Sequence, residues 1–100
     1  MQTSTTDPTA RETLSYPARR DANAALRHLM GQANSHRLTV SEHADRIEIV
    51  VDDIHDVIRI TFSSGFGGRT RRYATKAICG SNPVRVTFAA AMARAVCMVR

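Results

Sequence analysis

One hundred residues with 43% hydrophobic side chains make one globular domain with a modest core. They leave no room for an enclosed catalytic cavity beside a second domain, which favours a binding module over an enzyme. The formal charge is +5, and thirteen of the fourteen basic residues are arginines.

Residues 1–14 are rich in Thr and Ser and show no hydrophobic period. They predict a disordered tail ahead of a single domain over residues 15–100. The N-terminus lacks the basic and apolar regions of a signal peptide. No run of eighteen apolar residues occurs that could span a membrane. The expectation is a soluble, cytoplasmic protein.

Ser15 as cap and Pro17 in the first turn mark a helix start. Ala18, Ala22, Ala25, Leu26, Leu29, Met30 and Ala33 then recur at helical spacing, predicting an amphipathic helix over about 16–34. "RLTVS" is short and alternating. "RIEIVVD" puts Ile47, Ile49 and Val51 on one strand face and Arg46 and Glu48 on the other. "DDIHD" supplies turn chemistry. "VIRITF" turns Ile58, Ile60 and Phe62 inward, and Arg59 and Thr61 outward. "SSGFGG" is a glycine turn, and "RTRRYATKAI" is a less regular strand.

"GSNP" then predicts a last helix over about 83–98, with Ser81 or Asn82 as cap and Pro83 at its first position. Its apolar arc is wider than one sheet face needs. Either both faces are covered or the excess forms a homodimer or partner interface. The order α-β-β-(β)-β-α predicts an α+β two-layer sandwich: an antiparallel sheet of three or four strands under two helices.

Charge is segregated along the chain. Residues 41–56 carry six acids against Arg46 alone, whereas residues 57–100 carry eight cations and no acid. The C-terminal half is thus a candidate surface for phosphates or for an acidic protein. The alternative is an ordinary solvated face.

"GFGG" before "RTRRY" lacks the G-x-x-x-x-G-K-[ST] pattern and precedes a strand, where a phosphate cradle needs a helix N-terminus. The glycines therefore read as a hairpin tip with positive-φ positions. The cations behind them are a separate matter. Arg72, Ala74 and Lys76 share one strand face; Arg71, Tyr73 and Thr75 share the other. With Arg59 next door and Phe66 at the tip, these cations offer phosphate contact and base stacking, or a fit to an acidic groove. The predicted contact residues are Arg59, Phe66, Arg69, Arg71, Arg72 and Lys76.

His28, His36, His43 and His55 are scattered, and neither "SEHAD" nor "IHD" presets a dyad, because neighbours on a strand point apart. No H-E-x-x-H, paired cysteine or G-x-S-x-G occurs, so no catalytic residue, metal or cofactor is expected. Cys79 and Cys97 read as buried free thiols, and Met30, Met92 and Met98 as core.

The α-β-β-β-α order and the small-residue body "AAAMARA" resemble the double-stranded-RNA-binding domain. Only Arg85 stands where that family has a basic cluster. In size and pattern, "RRYATKAICGSNPVRVTFAAAMARAV" resembles small phage proteins that end in a strand, a turn and an Ala-rich helix, among them several anti-CRISPR proteins. That resemblance implies a phage or mobile-element protein that binds a bacterial defence nucleoprotein complex and blocks its nucleic-acid or subunit site. RNA binding by strand 69–76 is the alternative.

Overall fold

A computed structural model describes residues 13–78 and 80–100. Helix α1 (Tyr16–Met30) is followed by a 3-10 turn (Ser35–Arg37) and by strands β1 (Leu38–Glu42), β2 (Arg46–Asp52) and β3 (Asp56–Ser64). A second 3-10 turn (Phe66–Gly68) leads to β4 (Thr70–Ile78), β5 (Val84–Val86) and helix α2 (Phe88–Val99). The five strands pair antiparallel in chain order, β1-β2-β3-β4-β5. The α+β class and two helices agree with the sequence expectation; the sheet has one strand more than expected.

Alternation decides which side of the sheet is buried. Ile47, Ile49 and Val51 on β2 and Ile58, Ile60 and Phe62 on β3 lie opposite one another and are fully or nearly fully buried. Ala74 continues that side onto β4 across from Ile60. Both helices cover this side through small residues at helical spacing. α1 contributes Ala18, Ala22, Ala25 and Leu29, and α2 contributes Ala91, Ala95, Met98 and Val99. Alanine at these positions lets each helix approach the sheet closely. Phe88 closes the core edge-on against Phe62, with ring centroids 5.8 Å apart. Neither described helix covers the opposite side of the sheet.

Local signals set the helix ends. The Ser15 hydroxyl accepts from the Ala18 N–H and Pro17 lies in the first turn, as expected. α1 ends at Met30 instead of running to 34. Gly31 caps it, and the Asn34 N–H is drawn to the Val99 carbonyl at 2.8 Å.

The last helix begins at Phe88, not at 83. Val84, Arg85 and Val86 pair with Lys76, Thr75 and Ala74 as the fifth strand. Thr87 is the true cap, its hydroxyl accepting from the Ala90 N–H at 3.1 Å. The ladder to β4 outweighs the helix-start signal of Pro83. Part of the wide apolar arc is covered: Phe88, Met92 and Val96 pack against the core beside the buried residues. Exposed on α2 are Ala89, Ala90, Ala93 and Cys97, so the Cys97 thiol is free and exposed rather than buried. It stands one turn beyond Ala93, on the side away from Ala95. Met30 is likewise 57% exposed, because α1 ends there, beyond the covered stripe. Cys79 lies outside the described residues.

Of the expected tail, residues 1–12 lie outside the described residues. Leu14 belongs to the core: it is 5% exposed, and its N–H donates to the Ala44 carbonyl at 2.9 Å.

Both helices run the same way along the sheet. α1 starts where the Ser15 N–H meets the Ser64 hydroxyl at 2.7 Å, and α2 starts over Phe62. Farther along α2, Arg94 reaches Asp56 at the opposite end of β3. The positive ends of both helix dipoles therefore lie at the β3–β4 hairpin end. No described helix is long and apolar enough to cross a membrane.

Candidate functional site

The β3–β4 hairpin is closed by the Gly65 N–H, which donates to the Arg69 carbonyl. Gly67 and Gly68 have φ of 69° and 79°, a region that side chains with a Cβ rarely adopt. The sequence reading of positive-φ glycines at the tip holds for these two. The tight turn leaves Phe66 no surface to pack on, and its side chain is 98% exposed. An exposed phenylalanine on a cationic hairpin is an unusual use of a large apolar side chain.

The six predicted contact residues do not share one face. Phe66 and Arg69 belong to the tip. Arg71 stands opposite Ser63 and Arg59 opposite Thr75, both on the helix-free side. Arg72 and Lys76 stand opposite Phe62 and Ile58, on the helix side. Four residues of strand separate the Arg59 and Arg71 rows, about 13 Å.

The helix-free side carries two different electrostatic environments. Towards β2, Glu48 gathers two guanidinium groups and an imidazole: Arg46 and Arg59 each at 3.8 Å, and His43 at 3.5 Å. These exposed pairs contribute little energy each, but they tie Arg59 to a carboxylate. Towards β5 the described strands carry no acid. Arg71, Tyr73 and Thr75 run along β4, and the Arg85 guanidinium from β5 lies 4.2 Å from the Tyr73 ring centroid. The stack fixes both planes and leaves Tyr73 43% exposed. Among the described residues Arg69, Arg71, Lys76 and Arg85 have no carboxylate partner within 4.0 Å.

On the helix side, a notch of about 380 Å³ opens between the first turns of α1 and the hairpin. Arg20, Asp21, Gly67, Gly68, Arg69 and Arg72 line it. The Thr70 hydroxyl donates to Asp21, whose other oxygen lies 3.6 Å from Arg20. The Thr70 hydrogen bond, then the Arg20 and Arg72 charges, hold the Asp21 carboxyl below its ordinary range. Arg72 is itself stacked 4.4 Å from the Phe88 ring centroid.

The acids of residues 52–56 do something else. Asp53 Oδ1 accepts the N–H groups of His55 at 2.7 Å and Asp56 at 2.8 Å, which closes the β2–β3 turn and lowers its own pKa. Asp56 is only 7% exposed and takes Arg94 Nε at 2.7 Å. All four histidines are exposed. Among the described residues no three His, Cys, Asp or Glu side chains gather as a metal site.

Arg20, Asp21, Tyr73 and Arg85 were not among the predicted contact residues. Placing Arg85 beside Tyr73 requires reading "VRV" as a strand. The Asp21–Thr70 contact spans 49 residues and leaves no local signal. No protein-family model matches this chain, and no curated protein or solved structure matches it.

Proposed function

We propose that this chain is a non-enzymatic binding protein whose hairpin tip and helix-free β4–β5 surface engage an anionic partner. The observation that carries the reading is the acid-free strip of Arg69, Arg71 and Arg85, held in place beside the exposed rings of Tyr73 and Phe66. Among the described residues none of these cations has a carboxylate partner within 4.0 Å, which leaves their charge for an external one. Following the resemblance to small phage inhibitors, the partner is a bacterial defence nucleoprotein complex of the CRISPR effector type. The protein blocks its nucleic-acid or subunit site stoichiometrically.

Direct binding of RNA by the same strip is the second reading. It is supported by two exposed aromatic rings among arginines, the combination that stacks bases while contacting phosphates. Gel-shift titrations with single-stranded RNA, double-stranded RNA and double-stranded DNA at two salt concentrations separate the two. Direct binding weakens steeply with salt as counterions are released. A complex dominated by shaped protein contacts weakens less. In parallel, purified CRISPR effectors are assayed for target cleavage with increasing protein. Inhibition saturating at one equivalent, and lost in R71E/R85E, supports the inhibitor. Effectors unaffected at tenfold excess, together with no nucleic acid bound below micromolar at low salt, rule out both readings.

A further inference from the structure

We propose that the notch between α1 and the β3–β4 hairpin is a binding site for a dianionic phosphate group. This goes beyond the binding-surface reading: the notch lies on the helix side of the sheet, and its occupant is a single small anion rather than a partner surface.

Charge and shape carry it. Three arginines line the notch, Arg20 from α1 and Arg69 and Arg72 from the hairpin, against the single acidic residue Asp21. Two positive charges are left uncompensated, matching a phosphate dianion. Asp21 offsets only one of the three, and its oxygens are held by the Thr70 hydroxyl and beside Arg20. Arg72 is preorganised: its plane is fixed over Phe88, and its N–H edges stay available. At about 380 Å³ the notch falls within the size range of small-ligand sites. The backbone also helps. Gly67 and Gly68 present main chain without a Cβ, and a Cβ built at Gly67 would meet nothing within 4 Å, so the loop is open on that side.

The helix that the glycine stretch lacks in sequence is supplied from elsewhere in the chain. The first turn of α1 stands beside the loop, anchored by the Ser15–Ser64 hydrogen bond. Its cap hydroxyl already satisfies the Ala18 N–H, so α1 contributes the field of its positive end rather than free donors.

The test is titration of the full chain with inorganic phosphate at constant ionic strength, followed by two-dimensional amide NMR. Saturable shifts confined to the Gly65–Arg72 loop and the first turns of α1 are expected. R69Q and R20Q should each weaken binding about tenfold, the loss of one charge-assisted contact. R71Q, on the other side of the sheet, should leave it unchanged. The exposed substitutions keep the amide spectrum of the fold, which the same experiment reads. No saturation by about 10 mM phosphate, shifts spread over every arginine, or R71Q as damaging as R69Q would overturn the site. In a second arm, an oligonucleotide with a 5′-phosphate competes with phosphate while its 5′-hydroxyl counterpart does not, if strand ends are the source. If neither competes, free phosphate is the source, and the site stands on the first arm. Loss of phosphate binding in R20Q, outside the β4–β5 strip, with the effector or RNA result intact separates this proposal from the surface reading.

Discussion

The two ends of β3 carry opposite charges and use them differently. At its start, the carboxylates of Asp53 and Asp56 turn inward to the fold: one closes its own turn and the other holds Arg94 of α2. At its far end, Arg69 and Arg71 meet no carboxylate among the described residues, and Phe66 packs on nothing. Like-charged arginines without partners contribute nothing to stability and repel one another. The comparison teaches that a segregated sequence charge is not one property. The acids are structural, and the arginines are left for something outside the molecule.

The largest expected effect separates the ends by function. R71E/R85E should weaken binding to the anionic partner about 100-fold or more, through two lost charge contacts and two new repulsions. Its circular dichroism spectrum should stay that of the wild type. Affinity within threefold of wild type would erase the functional half of the contrast. The next largest is at the acid end. D56A leaves Arg94 unpaired and empties a nearly buried position, and should cost about 2–3 kcal/mol in urea unfolding without changing partner affinity. A stable D56A with impaired binding would invert the assignment.

A smaller effect sharpens the role of the tip. G67A forces an alanine into φ of 69° and should cost about 1 kcal/mol, although open space surrounds it. The penalty is conformational, so G31A, with φ of −75° and only ordinary contacts for its Cβ, serves as the contrast. The smallest concerns pH. Backbone N–H groups from Asp56 and His55 lower the Asp53 pKa below 3.8, so its contribution is fully present above about pH 4. It is lost as pH falls through the lowered folded value. Urea unfolding at pH 5 and pH 3 should show a smaller acid-induced loss in D53N than in wild type.

Much of the fold was legible because its signals are local. The alternation of Ile47, Ile49 and Val51 against Arg46 and Glu48 identifies β2 and its buried side without further information. Ser15 and Pro17 do the same for the start of α1. What failed was nonlocal. Pro83 looks like a helix start, but Val84–Val86 is claimed by pairing with β4, and three residues are too few for alternation to stand out. Leu14 has no periodic neighbours, so its burial under the β1–β2 turn left no trace.

The candidate site was legible as chemistry and not as geometry. The cationic run and its glycine tip were visible. That Arg71 and Arg72 serve opposite sides of the sheet follows from alternation, but which side is open needed the register with Ile60 and Ala74. Arg20 joins the hairpin from α1 through a contact that no sequence window spans.

Equilibrium unfolding of the R69Q/R71Q/R85Q triple variant tests most directly whether the basic end is free of structural duty. Three charges are removed while every core residue and the Arg72–Phe88 stack remain. The expected change is under about 1 kcal/mol, because only the exposed Arg85–Tyr73 stack is lost and mutual repulsion is relieved. A loss of about 3 kcal/mol or more would show that these arginines hold β4 and β5 together and are not left over for a partner.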